Sequence, residues 1–233
     1  MIFIKLRFLL KLIKKLEIQS IENIINFLNN QLVGRLATID SNGYPQVIPM
    51  NFVYIQTNNH KNHSALLNQH SIYMHSYPYG EKIDNIKRNS KVGFEVDQHI
   101  AFLPSYYFHP TDASQADTLY ISTVIKGESF IVENYEEKAL ALNALMEKYQ
   151  KEGKYQRLDS KMCSVKEVTV IKIIPMQIRG KYKIGQQWTS SYRLKIAASI
   201  LAREKEGAIP ILDIMGIEIL PNNTLHIQRE PIL

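Results

Sequence analysis

The sequence predicts an α+β protein whose centre is an antiparallel β-barrel. Three observations carry this expectation. Strand-like apolar runs dominate residues 35–175, the connections between them are mostly short, and helical patterns fall at intervals outside them. An apolar fraction of 45% in 233 residues is enough to bury a real core.

Each element follows from a local signal. Ser20 precedes Ile21, Ile24, Ile25, Phe27 and Leu28 at helical spacing, which predicts a capped helix over 20–30, stopped by Gly34. Residues 36–39 form a strand, Ser41-Asn42-Gly43 a tight turn, and 44–55 the return strand. Pro45 and Pro49 withhold ladder hydrogen bonds, so the return strand belongs at an edge or carries a bulge. The polar stretch 56–70 reads as an extended hairpin loop, followed by a strand over 71–75 and a short helix over 80–88. A strand over 91–97 leads into an aromatic-rich loop over 99–117. A β segment over 118–133 contains Gly127, which marks a bulge or a close approach. Asn134 caps a helix over 135–151 with Ala139, Leu142, Leu145, Met146 and Tyr149 on one face. Residues 169–174 are the last core strand, and the tail holds a helix over 191–205 and a hairpin at Pro221-Asn222-Asn223. The expected organisation is an N-terminal extension (1–18), a barrel domain (19–175) and a C-terminal extension (176–233) that packs on the barrel.

The charge pattern excludes one broad class. Of a net charge of +6, five positive charges (Lys5, Arg7, Lys11, Lys14 and Lys15) lie in residues 1–16, leaving +1 for the rest. A body so nearly neutral has no net excess from which to build a nucleic-acid-binding face, so no nucleic acid is expected as a partner. The basic stretch is amphipathic but too short and too charged to span a membrane, and it lacks a signal-peptide core. A membrane-surface helix, a helix docked on a partner subunit and an over-extended start all stay open for it. Cys163 is the single cysteine; no intrachain disulfide can form, which fits a reducing, cytoplasmic setting, and the thiol reads as a small packed hydrophobe.

Sites of several familiar kinds are missing from the sequence. There is no glycine-rich dinucleotide loop, P-loop, His-Glu-x-x-His helix or G-x-S-x-G elbow. His60, His63 and His70 supply too few ligands at too loose a spacing for a metal, and a solvated loop is the expectation there. Two segments do carry chemistry. The strand ending in Met74-His75-Ser76 is followed by Gly80-Glu81-Lys82 at a helix start, which gathers backbone N–H groups and one ammonium where an anion would be held. Pro49-Met50-Asn51-Phe52 breaks the ladder and leaves backbone groups for a planar ligand, or else is a plain edge strand with Met50 and Phe52 in the core.

LATIDSNGYPQVIPMNFVY, IYMHS, EKIDNIKRNSKVGFEVD, YISTVIKGES and ALMEKYQ together resemble the pyridoxamine 5'-phosphate oxidase-like flavin-binding split barrels, nearest their nitroimidazole-resistance related branch. The resemblance covers about 20–175. It implies a homodimer of six-stranded split barrels with FMN at the dimer interface, acting on a small-molecule substrate. It places Pro49, Met50, Asn51 and Phe52 along the flavin ring and ribityl chain. By the same resemblance His75, Ser76 and Lys82 approach the ribityl and phosphate, Ser122 borders the ring, and His75 matches an active-site histidine near the flavin. Pyridoxamine-phosphate oxidases carry basic residues on the return strand and an Arg-Lys pair in the phosphate loop, where this chain has Val47-Ile48 and Glu81-Lys82. That particular oxidase activity is therefore not expected, and Arg35 and Arg88 are candidates for a second cation. The segment 177–193 resembles a flavin-covering tail in which Trp188 either stacks on the ligand or packs between tail and barrel. A reductase using a deazaflavin coenzyme, or a non-catalytic flavin- or haem-binding module, remains the alternative.

Overall fold

The computed structural model describes residues 14–56 and 70–231. In chain order its elements are β1 (Glu17–Ile18), α1 (Ile21–Asn30), β2 (Val33–Ile39), β3 (Pro45–Asn51), β4 (Val53–Gln56), β5 (His70–Ser76) and α2 (Glu81–Arg88). There follow β6 (Lys91–Leu103), β7 (Asp117–Ile131), α3 (Tyr135–Tyr149), α4 (Cys163–Glu167) and β8 (Thr169–Lys183). The chain ends with α5 (Ser190–Glu204), α6 (Ala208–Ile214), β9 (Ile217–Ile219) and β10 (Leu225–Ile227). The fold is α+β, and its contacts form two compact units. One takes in residues 20–98 and 122–180; the other takes in 99–121, the residues from 181 onward and the described residues up to 19.

In the first unit the strand order β3-β2-β6-β7-β8-β5-β4 explains how an open sheet becomes a split barrel. β3 and β4 are consecutive in the chain, with Phe52 alone between them, yet they stand at opposite ends of that order. The sheet must curl until its two ends meet at one residue, while no pairing joins β3 to β4. Counting β3 and β4 as one broken strand recovers the six strands expected, to which the two-residue β1 adds a short pairing with β8. The prolines thus sit on an edge strand, where a missing N–H costs no ladder bond.

Local chemistry accounts for the turns and close approaches. The Ser20 hydroxyl accepts from the Asn23 N–H at 3.3 Å, and the Asn134 side chain accepts from the Glu137 N–H at 2.8 Å, capping α1 and α3. The Asp40 carboxylate accepts from the Asn42 and Tyr44 N–H groups, both at 2.8 Å, and Gly43 takes φ +85° to close the β2–β3 hairpin. Gly34 does not stop α1, which ends at Asn30; it lies in β2, where a Cβ would meet the Phe94 ring at 2.1 Å. Gly127 marks a close approach, since a Cβ there would lie 2.6 Å from the Ile174 carbonyl oxygen.

Several sequence expectations need correction. β6 runs on through Leu103 and β8 through Lys183, so the aromatic loop shortens and the strand over 169–174 extends to 15 residues. His70 opens β5 rather than closing a loop; it is buried, and its Nδ1 lies 2.6 Å from the Tyr54 hydroxyl. The other loop histidines, His60 and His63, lie outside the described residues, as does most of the basic stretch 1–16. Cys163 is exposed, not packed. The buried side of α3 holds Lys138 and Asn143 beside Ala139, Ala141 and Leu145, because both polar groups bind backbone of the segment that follows the helix. Lys138 Nζ donates to the carbonyls of Lys166 (3.3 Å) and Val168 (2.8 Å), and Asn143 exchanges hydrogen bonds with the Leu158 backbone at 2.8 and 2.9 Å.

The second unit has a core of its own, in which Ala101, Leu103 and Leu119 pack with Ile196, Ile200, Leu212 and Met215. Thr189 caps α5, and Asn223 with φ +61° closes the β9–β10 hairpin. Arg193 is fully buried and forms a two-pronged pair with Glu230, at 3.0 and 3.3 Å. No helix among the described residues is long and apolar enough to cross a membrane.

Candidate functional site

β5 sets the site. Its alternation buries Ile72, Met74 and Ser76 and turns His75 outward, opposite Val170 in the register with β8. Ser76 pairs with Thr169, and its hydroxyl donates to the Tyr77 carbonyl at 3.0 Å. The strand then gives way to Tyr77-Pro78-Tyr79. These residues and His75-Ser76 form one wall of a cleft of about 660 Å³, with Ser164, Glu167 and Val168 as the other. The Ser164–Val168 wall belongs to α4 and its exit, whose Val168 carbonyl accepts from Lys138 Nζ.

Gly80 takes φ +116°, a conformation that favours glycine, and turns the chain into α2. It has no side chain to cap the helix, and its carbonyl accepts from the Ile83 and Asp84 N–H groups at 2.9 and 3.2 Å. That leaves the Glu81 and Lys82 N–H groups without an intrahelical partner at the positive end of the helix. Lys82 lies in that turn, half-buried, with no hydrogen-bond or ion-pair partner among the described residues. Glu81 and Asp84 share the turn and would oppose an anion. The Glu81 carboxylate, however, is engaged. It accepts from the Gln46 amide, whose oxygen accepts from Asn85 Nδ2 at 3.2 Å, while Asn85 Oδ1 accepts from Arg88 at 2.7 Å.

This relay also decides between the candidate second cations. Arg88 gives the same nitrogen to the Ile39 carbonyl at 2.7 Å, and Arg35 is paired with Glu95 at 3.0 Å and with Asp97. Lys82 alone among the three carries an ammonium or guanidinium without an engaged partner. The donor set fits one phosphate group held by one side chain and a helix start.

Pro49, Met50 and Asn51 lie on the edge strand β3, opposite Arg35, Gly34 and Val33. Pro49 and Asn51 are exposed and Met50 is buried. Phe52 offers a ligand little. Its side chain is fully buried, edge-on to Phe94 at 5.1 Å, and the Tyr149 hydroxyl accepts its N–H at 2.8 Å. The hydroxyl proton lies between the carbonyls of Leu32 (2.5 Å) and Phe52 (3.0 Å). The reading of backbone groups left available at Phe52 is therefore corrected: Tyr149 satisfies them from α3. Ser122 is part-buried on β7 next to Thr123, whose buried hydroxyl has no hydrogen-bond partner among the described residues. Trp188 sits in the second unit, 6.1 Å from Phe108 and 6.0 Å from Tyr192.

The structure thus brings His75 and Ser76 together at the cleft and starts α2 directly after it; Pro49–Phe52, Lys82 and Ser122 are not among the cleft-lining residues. Sequence reasoning missed Tyr77, Tyr79 and Glu167. The Tyr-Pro-Tyr run, two rings fixed about a proline before a glycine, was the available signal for the first two. No group of three metal-ligating side chains occurs among the described residues.

A family model described as pyridoxamine 5'-phosphate oxidase matches residues 20–182. Among solved structures, a candidate 5-nitroimidazole antibiotic resistance protein of Bacteroides thetaiotaomicron is 25% identical, covers 71% of this chain and 85% of its own, and superposes with a TM-score of 0.53. A FAD and haem binding protein of Mycobacterium smegmatis is 12% identical over 78% of this chain and 79% of its own, with a TM-score of 0.55. The flavocytochrome Anf3 of Azotobacter vinelandii is 13% identical over 72% and 69%, with a TM-score of 0.54. These last two show the shared fold. No curated protein matches the chain.

Proposed function

With residues 20–182 matched, this chain belongs to the pyridoxamine 5'-phosphate oxidase family, and we propose that it is a homodimeric, FMN-binding split-barrel oxidoreductase acting on a small molecule. The observation that carries this is the delivery of His75 and Ser76 to one cleft immediately before an uncapped helix start bearing Lys82.

Lys82 and the first N–H groups of α2 would hold the phosphate, and the Gln46–Glu81 hydrogen bond engages the opposing carboxylate. The outer edge of β3 at Pro49–Asn51 offers backbone groups to a ring edge, and Ser122 approaches from β7. Bound flavin supplies the hydride or electron transfer. His75 is exposed at the cleft and positioned to hand a proton to a substrate, a task suited to imidazole near neutral pH. The Arg-Lys phosphate pair of pyridoxamine-phosphate oxidases has no counterpart here, so a different substrate is expected.

Titration of the purified protein with FMN, followed in the visible flavin bands, tests the site. Saturable binding weakened about tenfold or more by Lys82→Ala is expected, the scale of one lost charge-assisted hydrogen bond. No binding of FMN at high concentration would overturn the reading. Saturation by a deazaflavin coenzyme instead, or a Soret band on adding haem, would reassign the ligand. In the FMN-loaded protein, His75→Ala should retain flavin and lose turnover by about 100-fold, the low end for general acid–base catalysis. Unchanged turnover would remove His75 from the chemistry.

A further inference from the structure

We propose that the buried Arg193 guanidinium is a phosphate-binding site, which the Glu230 carboxylate of the C-terminal strap holds closed. This site is separate from the flavin reading and does not rest on it. Arg193 is 1% exposed and stands in the first turn of α5. A cation at that end of a helix is opposed by the dipole, and a buried one loses its hydration as well, so the position demands an anion. Ser190 and Ser191, which open α5, add backbone N–H groups without an intrahelical partner at the same end. The anion present is Glu230, the one ion-pair partner of Arg193 among the described residues, with its side chain 62% exposed. The exposed carboxylate thus closes the guanidinium off from water.

The fit of this plug is incomplete. Glu230 takes the terminal nitrogens at 3.0 and 3.3 Å, while Arg193 Nε is buried with no hydrogen-bond partner among the described residues. A carboxylate cannot span both terminal nitrogens and Nε; a phosphate, with a third acceptor oxygen, can. The ligand class is therefore a phosphate group in preference to a carboxylate. The strap, moreover, has anchors other than Glu230. The Gly216 carbonyl accepts from the Gln228 and Arg229 N–H groups at 3.0 and 3.2 Å. The Arg229 guanidinium donates to the Asp213 carbonyl at 2.7 Å and to its carboxylate at 3.1 Å. Gly216, at φ +72°, lets the strap pass, since a Cβ there would lie 2.2 Å from the Arg229 carbonyl oxygen. With Arg229 fixed and Pro231 buried, the Glu230 side chain can swing into solvent while the strap stays in place. Trp188, the single tryptophan, is the reporter. Its ring and the Arg193 stem converge on Gly185, where a Cβ would meet them at 3.0 and 3.5 Å.

The test follows the Trp188 indole N–H resonance of the full-length protein by NMR while inorganic phosphate, acetate or chloride is added at matched ionic strength. Glu230→Ala should bind phosphate saturably, about tenfold tighter than wild type, where the carboxylate competes, and about tenfold tighter than it binds acetate, the scale of one charge-assisted hydrogen bond. Adding Arg193→Met to that variant should abolish the shift. Glu230→Gln keeps an oxygen for the guanidinium without the charge; it should give the same order of anions, and it replaces the alanine variant if that does not fold. The phosphate response should persist in FMN-loaded protein and in Lys82→Ala, since the flavin phosphate is assigned to Lys82. No saturable shift in either Glu230 variant, or equal shifts with phosphate and chloride, would overturn the site. Loss of the response on saturation with FMN would overturn it too, because Arg193 would then belong to the flavin. A phosphate response in protein that takes up no FMN would sustain Arg193 and sink the flavin reading alone.

Discussion

Lys148 holds its charge in a setting that supplies no carboxylate among the described residues. Its ammonium stands 3.8 Å above the Phe52 ring and donates to the Leu28 carbonyl at 3.3 Å. Burial pulls its pKa down to about 8. An unfolded lysine titrates near 10.4, so between about 8 and 10 the unfolded chain binds more protons than the folded one. Stability then rises with pH across that window. Lys148→Met keeps the stem over Phe52 and removes the titration. Urea midpoints at pH 7 and pH 9.5 should show wild type gaining relative to the variant at the higher pH. The buried tyrosines Tyr54 and Tyr73, whose pKa values burial raises, act in the opposite sense in both proteins and cancel in the comparison. A difference that stays constant with pH would mean that Lys148 is solvated and the ring contact incidental.

At the scale of elements, the seam of the barrel depends on one hydroxyl. Where β3 passes into β4, Phe52 leaves the ladder, and α3 restores its hydrogen bonds through Tyr149. Tyr149→Phe keeps the ring but strands the Phe52 N–H, a loss of about 1–3 kcal/mol for a buried donor left unsatisfied. Denaturant unfolding measures it, and a cost below about 0.5 kcal/mol would mean that water replaces the hydroxyl. This device was out of reach in the sequence, because Tyr149 reads there as one apolar position of a helix face. What could be read was whatever local chemistry decides: the caps at Ser20 and Asn134, the turn at Gly43, and the edge position of a strand carrying Pro45 and Pro49. The ends of the long strands could not. In β6 the buried positions change from Val92, Phe94 and Val96 to Ala101 and Leu103. In β8 they change from Ile171 and Ile173 to Tyr182. Alternation slips by one residue in each, and a period-two reading stops there. Likewise His75 and Lys82 stood out by residue type, whereas Glu167 and the Gln46–Glu81 bond depend on which elements fold against one another.

At the scale of the whole molecule, the family match and the compact units do not share a boundary. The match ends at residue 182, yet the second unit draws on 99–121 as well as the chain beyond 181. β6, β7 and β8 each run from one unit into the other, so neither unit is a continuous segment of sequence. Cutting the chain at the end of the match would remove α5, α6 and the β9–β10 hairpin. Their partners Ala101, Leu103, Tyr107 and Leu119 would remain, at present no more than 8% exposed. The three large side chains among them, opened to water, amount to about 5–9 kcal/mol at roughly 1.5–3 each, comparable with the whole stability of a domain. The 1–182 truncation should therefore aggregate or lose fixed packing, despite containing every residue that the family model matches. Size-exclusion chromatography and near-UV circular dichroism read this directly. A monodisperse truncation with wild-type near-UV signal would mean that the first unit stands alone and that residues 183–233 are dispensable to it. The expected collapse would make this C-terminal segment part of the fold that presents the site, and flavin titrations would then require the full chain.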